Sequence, residues 1–173
     1  MKKIIITGPE SSGKTTLAKA LAAHFKTVSV PEFAREYIDQ LGRPYVESDL
    51  LEIAKGQLRL ENEMAKRASN FLFCDTDLIT IKIWALDKFG KCDPWILEQI
   101  TQRQYELYLL CASDIPWEPD PQREDENRRD EIFEMYAHEL KSQNVNWEIV
   151  RGLGEKRLRK AIELVEQNFQ KDD

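Results

Sequence analysis

The sequence lacks long hydrophobic runs and has few cysteines. No stretch approaches the roughly 18 apolar residues that a membrane-spanning helix needs. Met1-Lys2-Lys3 before three isoleucines resembles the start of a secretory signal, but Gly8 and Glu10 end the apolar run too early. The three cysteines form no CxxC pair, so a disulfide framework is not predicted. We therefore expect a cytoplasmic protein whose thiols, two in strands and one in a loop, stay reduced.

Positive charge and histidine are also scarce. The chain has 25 Lys and Arg against 31 Asp and Glu, a net charge of −6, which argues against non-specific nucleic-acid binding. His24 and His138 lie far apart in helical patterns, so neither a metal nor a catalytic role is predicted for them. With 173 residues and no linker or internal repeat, the chain is expected to form one domain, 1–173.

Short apolar runs alternate with helical patterns along the chain. Strands separated by helices predict an α/β fold: a five-stranded, mostly parallel sheet with helices on both faces. Ligands of such sheets gather at the carboxyl ends of the strands. The predicted strands are Lys2–Thr7, Thr27–Val30, Phe71–Cys74, Tyr105–Ala112 and Trp147–Val150. The predicted helices after the first are Phe33–Gln40, a long helix capped by Asp49, Leu78–Lys88, Pro94–Arg103 and a final helix that buries Leu158, Ala161, Ile162, Val165 and Phe169.

A phosphate-binding motif follows the first strand. Gly8-Pro-Glu-Ser-Ser-Gly13-Lys14-Thr15 fits the P-loop pattern GxxxxGK[ST] and opens an amphipathic helix, a context that a chance match lacks. The glycines let the backbone bring its N–H groups onto phosphate oxygens, and the helix N-terminus adds partial positive charge. Lys14 supplies a point charge, and the Thr15 hydroxyl is a predicted Mg²⁺ ligand. The predicted nucleotide-binding residues here are Gly8, Pro9, Glu10, Ser11, Ser12, Gly13, Lys14, Thr15 and Thr16.

The residues after the third strand favour phosphoryl transfer over hydrolysis. Asp75 closes an apolar run and is the predicted second Mg²⁺ ligand, while Asp77 is predicted to cap the next helix. Mechanical ATPases usually place a water-polarising Glu after this Asp, but here Thr76 stands there. GTPases carry an Asn-Lys-x-Asp motif, which is absent; the DxxG sequence at 87–90 ends a helical pattern instead of a strand.

A transferase needs a lid that excludes water and an acceptor site. The segment Trp117–Arg129, within a lid at about 113–129, supplies Arg123, Arg128 and Arg129, and guanidinium groups suit developing phosphoryl charge. The alternative is a solvated loop, with at least one of these arginines a helix-surface charge.

Pro31–Tyr37 follows the second strand, which is expected beside the P-loop strand. Glu32 is predicted to orient or deprotonate an acceptor hydroxyl and Arg35 to grip a polar substrate group. The alternative is that these acidic residues only form the first turn of a helix, where they interact favourably with the helix dipole.

Four segments carry a resemblance to a known family. GPESSGKTTLA, VPEFAREY, FLFCDTD and DIPWEPDPQRE, in this order, resemble the ribosylnicotinamide kinase domain of the bacterial NadR family, from Lys2 to about Val165. The P-loop alone does not discriminate; Glu32–Tyr37 together with Asp114–Trp117 is more specific. The resemblance implies transfer of the γ-phosphoryl group of ATP, with Mg²⁺, to the 5′-hydroxyl of nicotinamide riboside, giving nicotinamide mononucleotide.

The resemblance also implies roles by position. Asp75 is the first choice for general base and Glu32 the second. Trp117 either stacks on the pyridinium ring or anchors the lid hinge. The implied catalytic residues are Lys14, Asp75, Glu32, Arg123 and Arg128; the riboside-binding residues are Glu32, Arg35, Tyr37, Asp75 and Trp117; Thr15 and Asp75 serve the metal; Gly154 and Lys156, in the loop where related kinases place adenine, join the ATP site.

The sequence departs from whole NadR proteins, which carry an adenylyltransferase domain and often a DNA-binding domain. The chain starts almost at its first strand and has no HxGH motif, so adenylyl transfer and operator binding are not expected of it. Two alternatives remain: a kinase of another nucleoside or small alcohol, and an ATP-sensing regulatory module with little turnover. Asp75, Glu32 and the lid arginines weigh against the sensor, which needs no acceptor pocket.

Overall fold

The centre of the molecule is a sheet of five parallel strands. The structure is a computed structural model, and it describes residues 1–169. The strand order is β2-β3-β1-β4-β5, so β1 pairs with β3 on one side and with β4 on the other. Ile4, Ile5 and Ile6 are fully buried, because helices cover both faces of this central strand. The strands are β1 Lys2–Thr7, β2 Val28–Val30, β3 Phe71–Asp75, β4 Leu107–Cys111 and β5 Trp147–Val150.

Helices pack on both faces of the sheet. Ile4 and Ile6 point to the face covered by the first and last helices, whereas Ile5 points to the other face, as the alternation of a strand requires. A short 3₁₀ helix, Glu126–Arg128, follows the irregular loop after β4. The α-helices are α1 Lys14–His24, α2 Phe33–Leu41, α3 Glu47–Ala65, α4 Leu78–Phe89, α5 Pro94–Gln102, α6 Arg129–Ser142 and α7 Gly154–Phe169.

The predicted fold class, a five-stranded parallel α/β sheet, is confirmed, but its strand order is not as expected. β3, not β2, lies beside the P-loop strand, because the sheet inserts β3 between them. Thr27 lies outside β2, since its N–H donates to Ala22 O at 2.9 Å and closes the end of α1. α6, between the lid and β5, is not among the helices delimited from the sequence, although the helical pattern around His138 lies within it.

The helix boundaries differ by a few residues from the predicted ones. α3 begins at Glu47, so Asp49 lies in its first turn, where its carboxylate accepts the Val46 N–H at 2.8 Å. Asp77 caps α4 as predicted, accepting the Ile79 N–H at 3.1 Å. Within residues 1–169, no helix combines the length and apolar character that crossing a membrane requires.

Candidate active site

A cavity of about 700 Å³ opens at the carboxyl ends of the strands. The P-loop forms one wall, and the N-terminal part of α2, the side of α4, the lid and the start of α7 form the others. All nine predicted nucleotide-binding residues between Gly8 and Thr16 line it. The cavity is therefore where the fold and the P-loop motif both place a ligand.

The two motif glycines are required by the backbone. Gly8 has φ +135°, and a Cβ there would lie 2.6 Å from the carbonyl oxygen of Cys111 in β4. Gly13 has φ +76° and precedes the first residue of α1. Inside the loop, the Pro9 carbonyl accepts bonds from Lys14 Nζ at 2.8 Å and from Ser12 Oγ at 2.7 Å. These two bonds stabilise the curved conformation of the loop.

Thr15 and Asp75 meet at the end of β3. The Thr15 hydroxyl donates to Asp75 Oδ2 at 2.5 Å, and Asp75 Oδ1 is buried without a partner among the described residues. Burial raises the pKa of Asp75, and the positive charge of Lys14 opposes the rise. A hydroxyl beside a carboxylate with a spare oxygen is a donor set that Mg²⁺ accepts, with substrate phosphates and water completing its shell. The two residues therefore fit the metal predicted for them.

Glu32 and Arg35 reach the cavity from the start of α2. Glu32 is half-buried, lines the cavity and makes no hydrogen bond to the residues that the structure describes. Burial raises the pKa of Glu32, while Lys14 lowers it and Asp75 raises it further. Arg35 lines the same wall, but its guanidinium donates to Asp120 of the lid at 2.8 Å.

Tyr37 is not in the cavity, contrary to the role predicted for it. Its hydroxyl bonds to Asp49 at 3.0 Å, and Arg43 pairs with the same carboxylate at 2.8 and 3.0 Å. The Arg43 guanidinium, then the Val46 N–H and the Tyr37 hydroxyl, lower the pKa of Asp49 to about 2. Residues 34, 35 and 38 of α2 line the cavity, whereas Tyr37 lies on the side that packs against α3. Tyr37 therefore joins α2 to α3 and lies outside the cavity.

The lid is docked on the P-loop and on α2. Glu10 Oε2 accepts the N–H groups of Glu124 and Asp125 at 2.9 and 3.0 Å. Ser11 Oγ accepts the N–H of Glu118 at 2.8 Å. On the α2 side, the Gln122 amide donates to the carbonyl of Arg35 and to the carboxylate of Asp39. The lid is therefore anchored on the P-loop side and on the α2 side of the cavity.

Two of the predicted lid arginines line the cavity. Arg128 pairs with Asp87 of α4 through both terminal nitrogens, at 2.7 and 3.0 Å. Arg123 donates to the Glu118 carbonyl within the lid.

Trp117 does not line the cavity. Its ring lies against Arg123 and Arg129, with 5.9 and 5.7 Å between ring centroid and guanidinium carbon. Of the two roles considered for Trp117, this placement favours the lid anchor.

The loop after β5 brings one of its two predicted residues to the cavity. Gly154 lines the cavity, but Lys156 is exposed and does not, because the first turn of α7 points its side chain to solvent. Glu155, Arg157 and Leu158 line the cavity instead.

Sequence reasoning missed further cavity residues on α4 and α6. Trp84 and Asp87 lie one turn apart on α4 and both line the cavity, and Tyr136 of α6 also contributes. Lys88 lines it too and lies over the Tyr45 ring, 3.9 Å from its centroid. The i, i+3 spacing of Trp84 and Asp87, on the helix that follows Asp75, is the signal from which these two were predictable.

The chain has known relatives. Residues 3–157 match the family described as AAA domain. The chain belongs to this family. The family description names no reaction, so the choice between hydrolysis and transfer depends on the site, where Thr76 occupies the position of the hydrolytic Glu.

Individual relatives confirm the resemblance to NadR. The chain is 31% identical, over 126 residues, to the trifunctional NAD biosynthesis/regulator protein NadR of Escherichia coli (strain K12); the match covers 69% of this chain and 30% of that protein. The chain therefore spans about a third of the length of this curated relative.

Solved structures confirm the P-loop kinase fold. Crystal structures of NadR protein in complex with NR, and with NAD and AMP-PNP, superpose with TM-scores of 0.86 and 0.81, both at 23% identity. Each match covers 96% of this chain, with 51% and 49% of the respective NadR chain. A thymidylate kinase from Ehrlichia chaffeensis superposes with a TM-score of 0.66 at 13% identity, over 95% of this chain and 98% of the kinase.

Proposed function

We propose that this chain is an ATP- and Mg²⁺-dependent kinase that phosphorylates the 5′-hydroxyl of nicotinamide riboside to give nicotinamide mononucleotide. The observation that carries a kinase is Glu32, a carboxylate without a hydrogen-bond partner in residues 1–169 that lines the same lidded cavity as the P-loop. A nucleotide sensor needs no such second wall. The similarity to NadR supports nicotinamide riboside as the acceptor and the NAD biosynthetic context.

The donor half of the site holds the triphosphate. The P-loop amides and Lys14 bind the β- and γ-phosphates, and Thr15 and Asp75 hold the metal. When bound, Mg²⁺ neutralises phosphate charge in the transition state. Arg123 and Arg128 lie on the lid wall, where guanidinium groups stabilise the same charge once they turn from their present partners.

Glu32 is the better-placed general base. Asp75, the first choice from the sequence, already accepts the Thr15 hydroxyl and is committed to the metal. Glu32 has both oxygens available, and burial raises its pKa, which makes its carboxylate a stronger base. Because the transition state of phosphoryl transfer is loose, orienting the hydroxyl matters as much as removing its proton.

The nicotinamide ring is assigned to the α4 wall. A pyridinium ring carries positive charge, and an aromatic face stabilises it. Trp84 is a half-buried aromatic residue of that wall, whereas Trp117 lies outside the cavity. Arg35 remains the proposed contact to the polar groups of the riboside. To make this contact, its guanidinium has to leave Asp120 and bind the substrate instead.

The proposal concerns the kinase reaction within a single domain, 1–173. The E. coli relative is trifunctional, and the matched segment is 30% of it.

Acceptor-dependent ADP release tests the proposal. Purified protein is incubated with Mg²⁺ and ATP and with nicotinamide riboside, uridine, thymidine, adenosine or no acceptor, and the Lys14→Ala variant serves as the inactive control. Nicotinamide riboside is expected to give kcat/KM at least 100-fold above the other nucleosides. A lead by uridine or thymidine identifies another nucleoside kinase, and release that ignores the acceptor identifies an ATPase.

A further inference from the structure

Two arginines bind backbone carbonyl groups of the P-loop. Arg157, which is only 5% exposed, donates from Nη2 to the carbonyl of Ser12 at 2.7 Å and to that of Ala112 at 3.2 Å. Arg129, the first residue of α6, donates from Nη1 to the carbonyl of Ser11 at 3.1 Å and to that of Ile115 at 2.9 Å. Two consecutive P-loop carbonyls are therefore held by guanidinium groups.

The held carbonyls fix the direction of two N–H groups. A trans peptide is planar, and its C=O and N–H point in opposite directions. Holding the Ser11 carbonyl therefore turns the N–H of Ser12 the other way, and holding the Ser12 carbonyl does the same for the N–H of Gly13. Both residues line the cavity, and in residues 1–169 neither N–H donates to a protein group. These are the donors that a phosphate ligand takes.

Each arginine is itself fixed by contacts outside the P-loop. Arg157 Nη1 pairs with Asp114 Oδ1 at 2.8 Å and donates to the Gly152 carbonyl at 2.9 Å, which ties the P-loop to the loops after β4 and β5. Arg129 lies against the ring of Trp117. The planar guanidinium presents several donors in a fixed fork, which the single ammonium of lysine does not reproduce.

We propose that Arg129 and Arg157 are positioning residues of the phosphate site. They hold the Ser11–Ser12 and Ser12–Gly13 peptides in the orientation that binds phosphate, so the loop does not have to be ordered when the nucleotide arrives, and their charge adds attraction for the anion. The inference rests on the proposed function only in that the P-loop binds a nucleoside triphosphate; the identity of the acceptor does not enter.

Binding of AMP-PNP and of adenosine to the same variants tests the proposal. Adenosine shares base and ribose with AMP-PNP but has no phosphate, so loss of phosphate positioning affects AMP-PNP alone. Titration calorimetry with Mg²⁺ gives the AMP-PNP affinity, and ligand-detected NMR gives that of adenosine. Arg129→Met and Arg157→Lys are each expected to weaken AMP-PNP about 10- to 100-fold, the range for a lost charged hydrogen bond, with adenosine changed less than threefold.

The matched control is Arg159→Met, which removes an exposed arginine of the same helix and is expected to leave both affinities within twofold. Arg129→Lys keeps the charge and is expected to recover part of the loss. AMP-PNP affinities within twofold of the parent in both test variants would overturn the proposal, as would equal losses for AMP-PNP and adenosine. Asp114 loses its partner in Arg157→Lys, and if that variant does not fold, the binding data for Arg129→Met, at a half-buried position, decide the test.

Kinase activity of the parent is measured separately. If nicotinamide riboside is not phosphorylated but the AMP-PNP losses appear, the proposed acceptor is wrong and the positioning role stands.

Discussion

At the scale of single residues, burial decides what each carboxylate does. The sequence predicts Asp77 as a cap, which it is, but it does not predict that Asp77 is buried against the Tyr108 hydroxyl at 2.9 Å. Burial raises the pKa of Asp77 to about 7. For Glu32, the pattern predicted a carboxylate at the acceptor site, and the residue lines the cavity. The preference for Glu32 over Asp75 as base needed the Thr15–Asp75 bond, which no sequence pattern contains.

The raised pKa of Asp77 predicts a stability difference that depends on pH. The folded state holds this proton more tightly than the unfolded chain, in which the pKa of the carboxyl group is 3.8. The protonated Asp77 therefore contributes its full stabilisation below pH 3.8, and this stabilisation is lost as the pH rises towards 7. Asn does not ionise and can still accept the Ile79 N–H. From pH 5 to pH 8, urea unfolding should show Asp77→Asn gaining roughly 2–3 kcal/mol relative to the parent. A difference that does not vary with pH would contradict this prediction.

Glu32 and Asp75 are predicted to fail in different ways. Asp75→Asn removes a metal ligand, so the Mg²⁺ concentration for half-maximal activity should rise at least tenfold, together with a loss of kcat. Glu32→Gln should lower kcat about 10²- to 10⁴-fold and leave the Mg²⁺ dependence unchanged. Steady-state rates over a Mg²⁺ titration compare the two variants. If both variants showed the same dependence of rate on Mg²⁺ concentration, the assignment of Asp75 to the metal and Glu32 to the base would be contradicted.

At the scale of elements, periodicity predicts the helices and strands but not how they lie together. The alternation of apolar runs and helical patterns indicated five strands, yet the insertion of β3 between β1 and β2 depends on packing across the whole sheet. The same limit explains Tyr37, which shares a segment with Glu32 and Arg35 but faces α3. The lid position was predictable from its arginines. Its docking through Glu10 depends on backbone N–H groups, which a sequence does not distinguish.

The lid predicts the effect of removing Trp117. Its ring supports Arg123 and Arg129 and lies outside the cavity, so Trp117→Ala should disorder the lid instead of removing a substrate contact. We expect kcat to fall about tenfold, since the lid excludes water and places its arginines, and the KM for nicotinamide riboside to stay within threefold. Trp84→Ala is the comparison variant, and it is expected to raise the KM for nicotinamide riboside more than Trp117→Ala does. A large KM rise for Trp117→Ala at unchanged kcat would return the ring-stacking role to Trp117.

At the scale of the whole molecule, the fold brings distant segments to one edge. Asp75 ends β3, and the P-loop, the start of α2, the lid and the start of α7 each follow one of the other strands; parallel strands end on the same side. This convergence was predictable from the alternation of strands and helices. The Arg157 contacts were not, because a buried arginine near the start of a helix has the same sequence signature as an exposed one.

The central claim, phosphoryl transfer to nicotinamide riboside, is tested most directly by identifying the product. The protein is incubated with Mg²⁺, ATP and nicotinamide riboside, and ADP and nicotinamide mononucleotide are quantified together by liquid chromatography and mass spectrometry, with Lys14→Ala as the blank. The account predicts one nicotinamide mononucleotide for each ADP, with the phosphate on the 5′-oxygen. ADP formed without nicotinamide mononucleotide, or no turnover of either, would contradict it.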